Sequence, residues 1–383
     1  MHAIGITESG EERRFEAVRN KRVLDGGRYY LECLGRYLGM FARYEKFESL
    51  QLFDCEELET LICPKHNLET LDLSNCPNLK FLDCSENALK EIDLSNCPNL
   101  KTLECSSNNL KEIDLSNCKK LEHLGCSNNQ LTKLDLSRNE KLKKVFCSQN
   151  QLTELKLYNL EHLSFLNCNE NMIETLDLYD NSSLGGLLCS QNKLNEIFLN
   201  NCVNLELFEC FENQLSVLNL SQNMNLKWLN CAANKLPILD ISNSRDLQGL
   251  ICFGNEIKEL DLSLHERLLG LHCADNKITN LDLSKNPLLQ YLNYSNNQID
   301  EVLISNSRKI KVKIDEFIIP NPQGIKEPKI IKKVSKFIYS DKSDTKKPKK
   351  PPIKYWGEFE EGVFGRRSGY SLICHILLND IFD

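Results

Sequence analysis

The chain has 383 residues, 18 cysteines and a net charge of −7. That charge is unevenly spread. Residues 308–354 hold 15 Lys/Arg against 5 Asp/Glu, residues 355–383 sum to −3, and residues 1–307 therefore carry −14. An acidic body argues against nucleic acid as its partner, and no run of 18 apolar residues is present to span a membrane.

In chain order, residues 1–20 ("MHAIGITESGEERRFEAVRN") lack the apolar stretch of a secretory signal and read as a tail. The thiols are therefore expected to stay reduced, in the cytoplasm. Residues 21–57 read as a cap. Tyr30, Leu34, Tyr37, Leu38 and Phe41 fall at helical spacing and predict an amphipathic helix. Phe47, Leu50, Leu52 and Cys55 then open a degenerate half-repeat.

Residues 58–307 form a tandem array of about twelve copies. Cysteines stand at 63, 84, 105, 126, 147, 168, 189, 210, 231, 252 and 273, each 21 residues after the last. Leucine lies five residues before each anchor, from Leu58 to Leu289, and a second apolar column two before it, from Leu61 to Leu292. Asparagine follows three after, from Asn87 to Asn297, with His66 in the first copy and Tyr294 replacing cysteine in the twelfth. Further Leu, Ile or Val residues follow, as at Leu110, Ile113 and Leu115.

Residues two apart share one face of a strand, so Leu103 and Cys105 face one side while Glu104 and Ser106 face the other. Each coil is expected to hold a strand near 103–105 and a second extended segment near 113–115. Coils stacked as parallel strands about 4.8 Å apart extend roughly 55–60 Å over twelve copies. No coil buries its leucines alone, so stability comes from stacking on neighbours.

"LKTLECSSNNL" resembles the leucine-rich repeat pattern L-x-x-L-x-L-x-x-N-x-L, with cysteine in the third leucine's place. The repeat length and aligned cysteines are similar to the cysteine-ladder variant of the internalin J type. The resemblance implies a repeat solenoid with parallel strands on a concave face and extended segments on the convex one. It also raises a rival reading of function, a secreted or cell-surface adhesin.

Beyond the array, residues 308–345 read as a closing cap, with Ile310, Val312 and Ile314 alternating as a final strand. Residues 346–352 are a Lys/Pro linker and 353–383 a C-terminal tail.

The thiol columns are expected to carry packing rather than chemistry. Zinc needs converging ligands, usually paired C-x₂₋₄-C knuckles, and no such pair occurs. In-register neighbours point the same way and lie too far apart for a disulfide, and a thiol replacing a buried leucine is not an activated nucleophile. A second set, Cys55, Cys76, Cys97, Cys118 and Cys202, alternates with Asn139, Asn181, Asn223, Asn286 and Ser244, as a turn position would. The asparagine column is expected to pair with turn backbone. An aspartate column (Asp72, Asp93, Asp114, Asp135, Asp177, Asp240, Asp261, Asp282) supplies too few oxygens for calcium and reads as solvated, helped by Lys90, Lys111, Lys133 and Lys258. No cofactor, metal or catalytic residue is expected.

Function is expected on the outward positions of the concave strands: three before, one before and one after each anchor. Early copies place Thr102, Glu104 and Ser106 there. From the fifth copy the same columns hold Phe146, Phe165, Leu188, Leu207, Phe211, Trp228, Ile251, Phe253, His272 and Tyr291. Gly186, Gly249 and Gly270 are expected to leave hollows between them, and Glu206, Glu209 and Glu212 to form a rim. Aromatic anchors within a polar rim suit a protein or peptide ligand. The expectation is a monomeric, non-enzymatic interaction scaffold. The competing use of the strip is as a seat for a flanking segment such as residues 353–383.

Overall fold

The computed structural model of the chain describes residues 47–304 continuously. It adds the short strands His2–Thr7, Glu12–Glu16, Arg22–Val23, Tyr29–Leu34, Tyr37–Ala42, Lys311–Val312 and Lys336–Tyr339. Residues 346–352 and the tail 353–383 lie outside the described residues.

The array is a parallel β-solenoid. Each copy gives one three-residue strand, such as Thr102–Glu104, and twelve of these lie side by side in a sixteen-stranded sheet. The register follows the repeat without a slip: Leu103 lies opposite Leu82 on one side and Leu124 on the other. Ladder bonds continue one residue past each strand, as where the Cys105 N–H donates to the Gly125 carbonyl (2.7 Å). The chain then turns away through a left-handed residue two after the anchor in every coil, from Lys65 (φ 66°) to Asn296 (φ 54°), with a glycine only at Gly254 (φ 65°). A second sheet behind the coils is broken into short pieces, such as Lys133–Asp135 with Glu154–Lys156; the segment around 113–115 is not a strand.

Leucine and cysteine columns fill one continuous core. Leu100, Leu103, Cys105 and Leu110 are fully buried, as are their counterparts in the neighbouring coils. All eleven anchor cysteines have no exposed surface, and the described cysteines are free thiols. The thiol serves at each rung as a small apolar core residue.

The asparagines staple coil to coil. Asn108 donates from Nδ2 to the Cys84 and Cys105 carbonyls (3.0 Å each), and its Oδ1 accepts from the Leu89 N–H (3.0 Å). The pattern repeats along the column to Asn297. It satisfies backbone groups that the turn would otherwise bury unpaired. The second cysteine column is deeper than a turn surface: Cys76, Cys97 and Cys118 are fully buried, and so are Asn139, Asn181 and Ser244. Asn139 there donates to the Leu115 and Cys118 carbonyls (3.0 Å each).

The aspartate column is not balanced by the lysines named for it. Asp72, Asp93, Asp114, Asp240 and Asp261 each accept the backbone N–H of the serine two residues on, at 2.9–3.0 Å. That capping holds their carboxyls below the usual aspartate range. Lys90 and Lys133 pair instead with Glu69 and Glu154.

The expected N-terminal helix is replaced by strands. Tyr29–Leu34 and Tyr37–Ala42 form an antiparallel pair, and the second of them pairs in parallel with Thr60–Ile62. The first strand of the array presents an unpaired row of N–H and C=O groups, which a helix leaves open and another strand closes. Residues of the expected tail also form strands: His2–Thr7 pairs with Glu12–Glu16 and with Phe47–Phe53. At the other end, Lys311–Val312 adds to Tyr291–Asn293, and Lys336–Tyr339 pairs in parallel with Glu301–Ile304.

Candidate functional site

The face of the long sheet turned away from the core carries the first and third residue of each strand and the residue after the anchor. Over the early coils these positions are half-buried and polar, as at Thr102, Glu104 and Ser106. From the sixth coil onward they close into a second hydrophobic cluster, separate from the main core. Leu188, Leu207, Phe211, Trp228, Ala232 and Ile251 are its buried members, with Phe165 and Phe253 packed against them.

The structure thus gathers seven of the ten expected residues and attaches two more. Phe146 meets Phe165 with ring centroids 5.4 Å apart. His272 stacks on Phe253 at 4.6 Å, the rings inclined by 30°. Tyr291 stands apart at the end of the strip, 47% exposed.

The strip is not the exposed ridge that the sequence suggested. Leu207 and Trp228 are each only 3% exposed and Ala232 has no exposed surface. Two of the three glycines explain how this happens. A Cβ at Gly186 would run into the Phe165 ring at 2.6 Å, and one at Gly249 would collide with the Trp228 ring. The preceding coil's aromatic therefore lies over each glycine, and those hollows are filled. A Cβ at Gly270 would meet nothing within 4 Å, so one hollow is real, between Gly249 and Tyr291 in the ladder.

Polar groups are built into the same face, and Glu209 is one of them instead of standing in the rim where the sequence reading put it. Asn167, Ser190, Glu209 and Asn230 are all buried. Asn169 Oδ1 accepts the Ser190 N–H (2.7 Å), and Ser190 Oγ accepts the Phe211 N–H (3.1 Å), tying three coils together beside the aromatics. Their columns were legible, but their burial follows from the large neighbours. Glu206, expected in the rim, is neutralised by Lys227 at 2.8 Å. Burial pushes the His272 imidazole down to about 4, so it is neutral at physiological pH.

The rest of the described surface offers little chemistry. Burial raises the anchor thiols, as at Cys105 and Cys126, well above their ordinary range, so they are protonated and unreactive. No group of three or more His, Cys, Asp and Glu able to hold a metal occurs among the described residues. A cavity of about 90 Å³ behind the coils is lined by Leu239, Asp240, Ile241, Ser242, Asp261, Leu264 and His265. His265 there is tied to the Ile241 carbonyl (3.1 Å) as a stand-in for the column's asparagine. No helix among the described residues is long and apolar enough to cross a membrane.

Residues 77–117 and 98–139 match the family described as Leucine Rich repeats (2 copies). No curated protein matches the chain. Among solved structures, the functional domain of InlJ from Listeria monocytogenes, which includes a cysteine ladder, is 28% identical with a TM-score of 0.55. That match covers 64% of this chain and 65% of the InlJ chain, so slightly under two thirds of the latter is spanned. A leucine-rich repeat protein from Leptospira interrogans is 23% identical (TM-score 0.60; 64% and 68% covered). YopM, a leucine-rich effector protein from Yersinia pestis, is 26% identical (TM-score 0.56; 66% and 70% covered). With its 21-residue register, buried thiol rungs and asparagine staples, the array is a leucine-rich repeat solenoid of the cysteine-ladder type and resembles the InlJ domain.

Proposed function

We propose that the chain is a non-catalytic, cytoplasmic interaction scaffold, monomeric on its own, that binds a protein or peptide on the outer face of the long sheet, repeats five to twelve. One observation carries this reading. The solenoid already buries a complete core, yet a second apolar cluster is built on the opposite sheet face, where packing demands none. Leucine-rich repeat arrays commonly serve as protein-interaction scaffolds, and repeat solenoids offer such sheet faces as binding surfaces. At the accessible end, Tyr291 lies beside the open position at Gly270 in the ladder and His272 stacks on Phe253, and this end of the strip offers a landing place for an apolar side chain.

The test is capture of partners by the full chain and by a Phe253→Ser/Tyr291→Ser variant. These two are chosen over the buried Trp228 because their removal leaves the cluster's centre in place. Loss of specific partners with an unchanged unfolding midpoint is expected. Retention of the same partners by the variant refutes the reading.

A second reading, a secreted or cell-surface recognition protein, draws on the likeness to InlJ. Cell fractionation separates the two, since the scaffold reading places the chain inside the cell and this one outside the membrane.

A further inference from the structure

We propose that the open position at Gly270 receives a cationic side chain, arginine or lysine, from the partner that binds this face. This names the chemistry of the partner and rests on the reading of the strip as a binding surface.

The position is a gap in an otherwise filled column. Gly186, Gly249 and Gly270 each open a strand, and the first two are overlain by the aromatic ring of the coil before. The ladder neighbour before Gly270 is Gly249, which has no ring to offer, and a Cβ at Gly270 would meet nothing within 4 Å. The next neighbours set the two sides. On one, the six-membered ring of Trp228 lies over Gly249; on the other stands Tyr291, 47% exposed. From the Gly249 strand to the Tyr291 strand is two steps, roughly 10 Å. One side chain fits there, between two aromatic groups.

Charge then chooses the side chain. Asp275, two residues after the anchor Cys273, is exposed on the same coil and lies close enough to the His272 ring to act on it electrostatically. Its Oδ1 accepts from Asn296 Nδ2 (2.6 Å), and no described cation pairs with it. Lys227, Arg267 and Lys277, on the surrounding coils, are held instead by Glu206, Asp246 and Glu256 at 2.8–2.9 Å. Asp275 is thus a carboxylate left for a cation from outside, and the neutral His272 beside it adds no opposing charge.

Arginine and lysine meet both demands. Their apolar stems suit the aromatic sides while the charged tip stays in water. A cation is drawn to the faces of tryptophan and tyrosine rings, and its N–H groups can donate to the carboxylate. A plain aliphatic side chain leaves the carboxylate unused, and an acidic one is repelled by it. At longer range the charge of −14 over residues 1–307 attracts a basic partner.

The probe is a blocked glycine–arginine–glycine tripeptide added to the isotope-labelled full chain, with the Gly270 and Tyr291 amide signals followed by NMR. Both signals should move in a saturable way. The affinity should fall about fivefold with Asp275→Asn, and the response should vanish with Gly270→Leu, which fills the gap. Should Gly270→Leu lower the unfolding midpoint, Gly270→Ala takes its place and should weaken binding. A norleucine tripeptide keeps the apolar stem without the charge and should bind several-fold more weakly. Equal binding of the two peptides overturns the proposal while leaving the strip an apolar binding surface. Equal binding by the parent and Asp275→Asn also overturns it. So does movement of the two signals by maltotetraose and not by the arginine peptide, which makes the gap a sugar site. If the arginine peptide behaves as expected while Phe253→Ser/Tyr291→Ser leaves partner capture intact, the gap holds a cation and the binding reading falls.

Discussion

Gly249 and Gly270 are ladder partners on adjacent strands of the same face, and they make a controlled pair. Neither has a left-handed backbone, since Gly254 is the positive-φ glycine among the described residues. Alanine at either place is therefore free of backbone strain. At Gly249 the new methyl collides with the six-membered ring of Trp228, itself 3% exposed and walled in by Leu207 and Ile251. Overfilling a packed site of this kind costs about 1–3 kcal/mol. At Gly270 the methyl meets nothing within 4 Å, and the stiffer unfolded chain contributes a gain of about 0.4–1 kcal/mol. Gly249→Ala should thus unfold at lower urea than the parent, and Gly270→Ala at equal or higher urea. In a Trp356→Phe background, Trp228 emission should shift to the red in the first variant alone. Equal midpoints for the two variants would refute the idea that the tryptophan ring fills the Gly249 position.

The same geometry makes three other outcomes testable. Asn213→Ala removes the acceptor of the Leu194 N–H (2.9 Å) and the donor to the Cys189 and Cys210 carbonyls; about 1–3 kcal/mol should be lost, with faster hydrogen exchange at the Leu194 amide, and unchanged exchange there contradicts the staple. Thiol labelling of the native chain at pH 8 should spare the anchor cysteines, because burial raises them well above their ordinary range at Cys126, Cys147 and Cys252; modification of any of these three without unfolding counts against it. The last concerns pH. Burial holds His272 at about 4 in the folded chain, against an ordinary imidazole value of 6.5. The unfolded chain takes up its proton first, so the stability contribution is full above pH 6.5 and is lost as pH falls toward 4. About 1–2 kcal/mol should disappear between pH 7 and pH 5 on this account. His272→Gln should flatten that part of the profile, leaving the smaller slope from His123 and His265, whose values are also lowered by burial. An unaltered profile refutes it. The capped aspartates act in a separate window below pH 4, where protonation removes the capping contribution.

The sequence alone determined the register. A period carried by leucine, cysteine and asparagine fixes which residues face inward, because each position in a coil can stack only on its own counterpart one repeat away. Cys105 inward, Glu104 outward and Asn108 on turn backbone were all readable from that period. Three matters needed the tertiary structure. The aromatic spacing from Tyr30 to Phe41 suits a helix as well as a strand, and the open hydrogen-bonding edge of Thr60–Ile62 decides for strands. The aspartates had both lysines and serine N–H groups in sequence range, and the nearer, preoriented N–H prevails. The outward strip was readable as a set of columns but not as a packed cluster. Whether Trp228 stands in solvent or lies flat depends on what sits one coil away, and only the stacking of Gly249 beside it leaves room for the ring. A linear pattern assigns each side chain a face; contacts between large groups on neighbouring coils, about 4.8 Å apart, decide how much of that face remains open.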